Sequence, residues 1–167
     1  MTRKVTPTQW DIENNPDAHQ AILSELGGIN AVEMLFTETT GAGVYTGAVE
    51  LPAGATLLDI IINGVALWTA TTSATLKVGD GDDDDGYYTG VDLKATDLLA
   101  DESLSFSEAG GKAGAYIANS QVSPRYAAAA RTISGVVTTV GAAGNAGRTR
   151  MLVVYASPGE TQDAVKV

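Results

Sequence analysis

The sequence predicts an all-β protein, a jelly-roll-like β-sandwich preceded by an N-terminal arm that contains one short helix. About eight or nine short segments show strand-like patterns, and turn residues separate them at short intervals. The 167 residues suit one domain, and 19 glycines with few aromatic residues are typical of short strands joined by tight turns. We expect the arm in residues 1–30, the sandwich in 31–157 and a flexible C-terminal tail in 158–167.

The arm is predicted from two local signals. Pro7 pushes the preceding residue toward an extended backbone. Asn15, Pro16 and Asp17 then mark a helix start, with a cap, a proline at the first helical position and an acid in the first turn. The helix continues through Ala21, Ile22, Glu25 and Leu26, and it ends at Gly27 and Gly28.

Strands follow the arm in quick succession. The first half of the sandwich is predicted to contain strands at 31–38, 44–51, 56–62 and 74–78. Residues 44–51 alternate between two faces, one of them more apolar, which indicates one buried face. Asn63 and Gly64 are a strong hairpin signal, so we expect 65–69 to form a returning strand.

The second half of the sandwich begins with an acidic loop at residues 80–86 and a helical turn within 92–99. Weaker strand signals follow at 103–106 and 115–118. The clearest strands are 131–140 and 148–156, which we expect to pair with each other across the small-residue loop 141–147.

Composition argues against several classes of protein. The chain has no cysteine, so no disulfide, zinc–thiolate site or thiol nucleophile is available. A formal net charge of −10 repels phosphate backbones and argues against nucleic-acid binding. Residues 1–10 lack the apolar stretch of a signal peptide, and the most apolar run, 57–68, is too short and polar to span a bilayer. We expect a soluble protein made in a cytoplasm, without a membrane partner.

Charge is unevenly distributed along the chain. Residues 80–108 contain ten acids and one base, whereas 109–159 contain five bases and no acid. One interpretation is chance and solvated loops. The other is that the two halves of the surface meet between neighbouring subunits. The five bases are Lys112, Arg125, Arg131, Arg148 and Arg150.

The acidic loop is the candidate metal site. Asp80, Asp82 and Asp84 have the first three spacings of an EF-hand loop, but Asp85 stands at the glycine position. Val91 stands where the bidentate glutamate belongs. We therefore predict no metal site and no cofactor, and interpret these carboxylates as a solvated turn. Weak Ca²⁺ binding by the loop is the alternative.

No catalytic residue is predicted, because His19 lies on the polar flank of the predicted helix without a nucleophile motif beside it. Trp68 lies on a predicted strand, where a core or interface position is more typical than sugar stacking. Tyrosine and arginine are enriched at interfaces, although the stretch 123–131 also fits a packed loop. The predicted interface residues are Trp10, Arg125, Tyr126, Arg131, Arg148 and Arg150.

Turn and strand patterns between residues 44 and 156 resemble small structural proteins of tailed-phage virions, in particular head decoration (cement) proteins. These patterns are the run from Gly43 to Leu57, Val78-Gly79-Asp80 with Asp85-Gly86-Tyr87-Tyr88, Arg131-Thr132-Ile133, and Val153-Val154-Tyr155-Ala156. The resemblance implies a jelly-roll-like β-sandwich, often trimeric, attached to the outside of a capsid, with no catalytic residues.

We therefore expect a structural virion protein that decorates and stabilises a phage capsid exterior. Its expected partners are the major capsid protein and further copies of itself in a homotrimer. A phage tail, neck or fibre component is the alternative among structural proteins. A carbohydrate- or calcium-binding β-sandwich module is the alternative from another class.

Overall fold

The computed structural model describes residues 28–119, 124–142 and 144–158. A 3-10 turn at Gly110–Lys112 and a one-turn helix, α1 (Ala115–Ala118), lie between the sixth and seventh strands. No helix in these residues is long and apolar enough to cross a membrane. The strands of the described chain are β1 (Gly28–Thr37), β2 (Val44–Leu51), β3 (Thr56–Ala66), β4 (Ser73–Gly79), β5 (Tyr88–Asp92), β6 (Ser103–Leu104), β7 (Arg131–Val140) and β8 (Arg148–Ser157).

The strands form two four-stranded antiparallel sheets. The first sheet has the order β1-β8-β3-β6, and the second has the order β2-β7-β4-β5. Strands at mirror positions in the chain therefore pair: β1 with β8, β2 with β7, β3 with β6 and β4 with β5. This nested pairing is that of a jelly roll, and it confirms the predicted all-β sandwich.

The described residues can be compared with the predicted start of the sandwich, but they do not include the predicted arm helix or the C-terminal tail. β1 begins at Gly28, earlier than the expected start at residue 31. The predicted helix, Trp10 and His19 lie outside the described residues, as does the predicted tail beyond Pro158.

Alternate side chains from each strand fill the gap between the two sheets. Ile60 and Ile62 on β3 are fully buried, as are Leu76 on β4 and Val137 on β7. The hydroxyl of Tyr88 on β5 crosses the gap and donates a hydrogen bond of 2.7 Å to the carbonyl oxygen of Ile60. The core is therefore joined by a polar bond as well as by apolar packing.

The predicted hairpin at Asn63 and Gly64 is wrong, because β3 runs through both residues. The N–H of Gly64 donates to the carbonyl oxygen of Glu102 at 2.9 Å, and its own carbonyl accepts from Asp101 at 2.8 Å. A Cβ at Gly64 would collide with the carbonyl oxygen of Leu99. The glycine serves a close approach of two backbones and not a turn.

The predicted pairing of residues 131–140 with 148–156 is also wrong, although both segments are strands. β7 lies between β2 and β4, whereas β8 lies between β1 and β3 in the other sheet. The loop that joins them therefore crosses between sheets, which in packed sandwiches lie about 10 Å apart. Alternating side chains mark a half-buried strand, but they do not say in which sheet its partner lies.

Residues 115–118 were predicted as a strand and form α1 instead. A Cβ at Gly114 would collide with the backbone of Gly86, so the chain turns closely against the β4–β5 loop. The N–H of Tyr116 donates to the carbonyl oxygen of Gly86 at 2.8 Å. Residues 92–99 contain turns, as expected, and Asp92 Oδ1 accepts the N–H of Lys94 at 2.7 Å.

A buried carboxylate, Glu38, ties three loops together at one end of the sandwich. Its side chain is 2% exposed. It accepts N–H bonds from Thr69 at 3.0 Å, Ala70 at 2.9 Å and Gly147 at 2.9 Å, and the Thr69 hydroxyl at 2.8 Å. Burial acts to raise the pKa of Glu38, but the hydrogen bonds outweigh it and hold the pKa below its ordinary value. One side chain thus fixes the β1–β2, β3–β4 and β7–β8 loops.

Replacing Glu38 with glutamine is expected to lower the free energy of unfolding at neutral pH by roughly 2 kcal/mol, because charge-assisted hydrogen bonds are lost and an amide NH₂ faces donors. Since the folded pKa is lowered, the stabilisation is complete above the ordinary pKa of 4.5 and is lost as the pH falls from there through the folded pKa. The difference in free energy of unfolding between the wild type and Glu38→Gln should therefore become smaller in acid.

Urea unfolding across this pH range measures both effects. Glu50→Gln is the matched control, because the exposed Glu50 carboxylate accepts the Thr132 hydroxyl on the outside of the sandwich, at 2.7 Å. Equal unfolding midpoints for Glu38→Gln and Glu50→Gln at neutral pH would contradict the role assigned to Glu38.

Replacing Gly64 with alanine is expected to lower the free energy of unfolding by about 1–3 kcal/mol, because the new methyl group meets backbone that has little freedom to move. Gly81→Ala is the control, since a Cβ there has nothing within 4 Å. Thermal unfolding compares the two variants. A Gly64→Ala protein as stable as Gly81→Ala would show that the loop yields easily.

Candidate functional site

The end of the sandwich opposite Glu38 brings most of the predicted site residues together. We call it the acidic end; it comprises the β2–β3 turn (52–55), the β4–β5 loop (80–87) and the described parts of the β6–β7 connection (105–119 and 124–130). Backbone bonds join these pieces: the N–H of Gly54 donates to Ala127 at 2.9 Å, and that of Leu57 donates to Arg125 at 2.7 Å. The acidic end is therefore a tied assembly of loops.

Asp80 is the structural centre of the acidic loop. Its side chain is 8% exposed. Its Oδ1 accepts the backbone N–H of Asp82 at 3.0 Å and of Asp83 at 3.2 Å, and the Tyr116 hydroxyl at 3.2 Å. Its Oδ2 lies 3.8 Å from Arg131 Nη1. The interpretation as a solvated turn therefore fits exposed Asp82 and Asp84, whereas Asp80 is built into the fold.

Tyr116 connects α1 to this carboxylate. Burial and the negative charge of Asp80 raise the pKa of Tyr116 to about 12. The phenol therefore stays protonated at neutral pH and donates to Asp80. A Cβ at Gly86 would collide with the Tyr116 ring, so glycine there lets the ring pack under the loop.

Lys77 balances the outer carboxylates of the loop. The carboxylate oxygens of Asp83, Asp84 and Asp85 lie within 4.8 Å of one another. Lys77 Nζ lies 3.2 Å from Asp85 and 3.8 Å from Asp84. The hydrogen bond to Asp85, with the nearby negative charges, raises the pKa of Lys77. A divalent cation bound here would have to compete with an ammonium group already in contact with two of the three carboxylates.

Neither Asp83 nor Lys77 was among the predicted site residues. The sequence carries a signal for Lys77, because it stands between Leu76 and Val78, both buried, and so points outward on its strand. Its position beside the loop follows from the hairpin of β4 and β5, which brings the loop back over the end of β4. Asp83 joins the cluster through the curl of the loop, where its carbonyl accepts from Asp80 at 2.9 Å.

A groove of about 440 Å³ opens beside the loop. Its lining combines carboxylates, small apolar side chains and a guanidinium. It is lined by Asp80, Gly81, Asp82, Pro124, Ala127, Ala129, Ala130, Arg131 and Thr132. This lining offers carboxylates, a guanidinium and a hydroxyl as hydrogen-bonding and charged groups.

Two buried polar atoms have no hydrogen-bond partner among the described residues: the hydroxyl of Tyr87 and Nε of Arg131, which lines the groove. Burial raises the pKa of Tyr87 to about 12, so its phenol is neutral. The rest of the Arg131 guanidinium is held in place, since Nη2 donates to the carbonyl oxygen of Arg125 at 2.9 Å. Arg131 is therefore oriented by the fold.

The predicted interface residues divide between two surfaces. Arg125 and Tyr126 lie at the acidic end with Arg131. Arg125 stacks over the Phe106 ring, 4.8 Å from its centroid, and donates to the carbonyl oxygen of Leu58 at 2.9 Å. Tyr126 is 63% exposed and forms a bridge to Thr56. Tyr126 is thus the member of this group that offers a large exposed ring.

Arg148 and Arg150 lie on β8, far from the acidic end. Arg150 donates to Asn63 at 2.9 Å and lies 3.4 Å from Glu33. Lys112, another base of the same half of the sequence, pairs with Asp97 at 2.8 Å. Most of the bases between residues 109 and 159 therefore have partners within the chain, and Arg148 stands out as exposed.

Trp68 is a core residue. It is 2% exposed, its Nε1 donates to the Thr149 hydroxyl at 2.8 Å, and Tyr45 meets its ring edge-on at 5.1 Å. This burial removes Trp68 as a sugar-stacking platform. Trp10 lies outside the described residues.

Comparison with known proteins gives a likeness in fold. No family model matches the chain, and no curated protein matches it. A chain of the acid-stable capsid of the Helicobacter pylori bacteriophage KHP30 is similar in structure, with a TM-score of 0.50 and 20% identity over 79% of this chain and 88% of that one. This likeness shows a shared fold.

Two further capsid structures contain similar chains. A chain of the cyanophage Pam1 capsid has a TM-score of 0.47 and 20% identity over 79% of this chain and 85% of that one. A chain of the capsid of Ralstonia phage GP4 has a TM-score of 0.46 and 18% identity over 80% and 86%.

The acidic loop is expected to depend little on calcium. Lys77 offsets charge at Asp84 and Asp85, and Asp80 lies 3.8 Å from Arg131, so we expect the loop to fold without an added cation. Because a bound ion stabilises the fold only by its excess over the dissociation constant, melting in EDTA and in millimolar calcium should differ by a few degrees at most.

Differential scanning calorimetry makes this comparison, with Asp82→Asn combined with Asp84→Asn as the control for specific binding. Unfolding in EDTA that calcium reverses in the wild type, and not in the double variant, would show a structural metal site.

Proposed function

We propose that this protein is a non-enzymatic structural component of a phage virion that decorates and stabilises the capsid exterior. The observation that carries the proposal is the nested eight-strand jelly roll, shared over most of both chains with a chain of the KHP30 capsid. The turn and strand patterns that resemble head decoration proteins support the same assignment.

The physical task fits the architecture. A decoration protein adds contacts between neighbouring capsomers that resist the internal pressure of packed DNA. Such a protein needs a rigid body with a fixed contact surface. The acidic end supplies one, because its loops are tied by backbone bonds and by Asp80, and it presents Tyr126 beside the groove. The proposed partners are the major capsid protein and further copies of this chain.

Tyr126 offers a test of how the protein attaches. Added to particles that lack it, the wild-type protein is expected to saturate at a copy number comparable to that of the major capsid protein. Tyr126→Ala should bind at least about tenfold more weakly, since truncation of a hot-spot tyrosine costs about 2 kcal/mol or more. Thr46→Ala, an exposed change on β2, is the matched control.

Quantitative mass spectrometry of sedimented particles measures occupancy. A handful of copies per particle would assign the protein to a tail or neck and overturn decoration. Equal binding of Tyr126→Ala and Thr46→Ala would remove Tyr126 from the contact while leaving the copy number to decide the role.

The protein is also proposed to be a homotrimer. A chain with few aromatic residues and no disulfide gains stability by burying surface between copies. Light scattering at micromolar concentration, in low and high salt, should give three times the chain mass. A monomer under both conditions would contradict the trimer.

A further inference from the structure

Two basic side chains at the Glu38 end of the sandwich have no ion-pair partner among the described residues, Lys94 and Arg148. Arg148 is the more exposed of the two. It begins β8 directly after Gly147, whose N–H donates to Glu38 at 2.9 Å. The other bases of the described chain pair with a carboxylate or stack on a ring, namely Lys77, Lys112, Arg125, Arg131 and Arg150. The Glu38 end therefore presents an exposed guanidinium.

The groove at the acidic end carries the opposite charge. Asp80 and Asp82 contribute two carboxylates to its lining and Arg131 contributes one guanidinium, so the lining is net negative. Within the described residues, Asp80 Oδ1 accepts three hydrogen bonds, whereas Oδ2 lies 3.8 Å from Arg131 Nη1, too far for a hydrogen bond. Oδ2 and the exposed Asp82 carboxylate therefore keep acceptor capacity for a cation from another molecule.

The rest of the lining suits a cation that has an apolar stem. Carbon surface comes from Pro124, Ala127, Ala129 and Ala130. The groove volume of about 440 Å³ lies toward the small end of the range for ligand pockets, about 300–1,000 Å³, which is enough for one long side chain. Arginine combines a carbon stem that packs on apolar surface with a guanidinium that binds carboxylates at two points. The groove therefore fits an arginine side chain.

We propose that Arg148 of one copy inserts into the groove of a neighbouring copy and binds Asp80 and Asp82 there. This contact rests on the proposed homotrimer and names its interface. It joins the Glu38 end of one sandwich to the acidic end of the next, so it is heterologous, and heterologous contacts close into rings when the rotation between neighbours allows it, as in a cyclic trimer. Tyr126 is not part of the groove lining, so its exposed ring stays available for the capsid.

The contact also accounts for the uneven distribution of charge along the sequence. Residues 80–108 hold ten acids and one base, and residues 109–159 hold five bases and no acid. Four of those five bases have partners within the chain, which leaves Arg148 for a neighbour. Copies that each carry a formal net charge of −10 repel one another. A base that meets two acids lowers this repulsion where the copies touch.

Charge exchange tests the contact in the full-length protein. Arg148→Glu is expected to raise the concentration at which the trimer dissociates by at least about tenfold, because a carboxylate would then face a groove that already holds two. Asp82→Lys should have an effect in the same direction. The protein that carries both changes restores an ion pair with its signs exchanged, so it should associate more strongly than either single variant. Analytical ultracentrifugation over a range of concentrations measures the dissociation.

Two variants with the same changes in charge serve as controls. Lys94→Glu reverses a base at the Glu38 end, where the neighbouring Leu93 donates to Ala74 near the start of β4. Asp84→Lys reverses an exposed acid of the β4–β5 loop that is not part of the groove lining. Both are expected to dissociate at the wild-type concentration. Thermal melting followed by circular dichroism shows whether each variant is folded.

Three outcomes would overturn the proposal. A wild-type trimer whose dissociation is unchanged by Arg148→Glu would remove this contact and leave the homotrimer standing. An effect of Lys94→Glu as large as that of Arg148→Glu would show that overall charge, and not an inserted arginine, controls association. A wild-type protein that is monomeric at every concentration would overturn the trimer and the contact together, while the copy number on particles would still decide the role in a virion.

Discussion

The gap between the two sheets has to be filled by alternate side chains from all the strands, and the largest of them need space on the opposite sheet. Gly47 on β2 lies opposite Gly135 on β7 in the strand register. A Cβ at Gly47 would collide with Met34, and one at Gly135 would come within 2.8 Å of the Phe36 ring. The paired glycines thus form a recess in one sheet that receives side chains of β1 from the other. Register, sheet distance and the burial of Phe36 all depend on this fit.

Several of the acidic side chains are stabilised by hydrogen bonds and ion pairs within the protein, and others are solvated. Asp80 is bound by backbone N–H groups and a phenol, Lys77 lies between two carboxylates, and Glu38 is held by N–H groups of two loops. Acids thus fasten both ends of the sandwich. The local roles differ although the residue types are the same, because burial and donors decide how each carboxylate behaves.

Period-2 patterns and turn residues were enough to predict the all-β class and most strand positions. β5 (Tyr88–Asp92) was not predicted. Two other failures concern contacts between segments distant in sequence. Gly64 has the local signature of a turn. It is needed because the loop between β5 and β6 passes close to the backbone of β3 at this position. β7 and β8 are adjacent in sequence and strand-like, yet each finds its partners in a different sheet.

The candidate site was predictable in composition and not in geometry. The acidic loop and the Arg125–Arg131 stretch are visible in the sequence, but their meeting depends on the β6–β7 connection returning to the end of β4. Asp80 differs from exposed Asp82 and Asp84 because it accepts a hydrogen bond from Tyr116, which lies on α1. No spacing rule links those residues.

Nested strand pairing also sets the order in which the chain can assemble. The pairing of β4 with β5 closes a short loop, whereas β1 pairs with β8 from Gly28 opposite Ser157. Closing a longer loop costs more chain entropy, so the sandwich is expected to form from its central hairpin outward. During synthesis β1 leaves the ribosome before the other strands, and it stays unpaired until β8 has been made. Its apolar residues are then open to other nascent chains, and the last strand made is the one that ends this exposure.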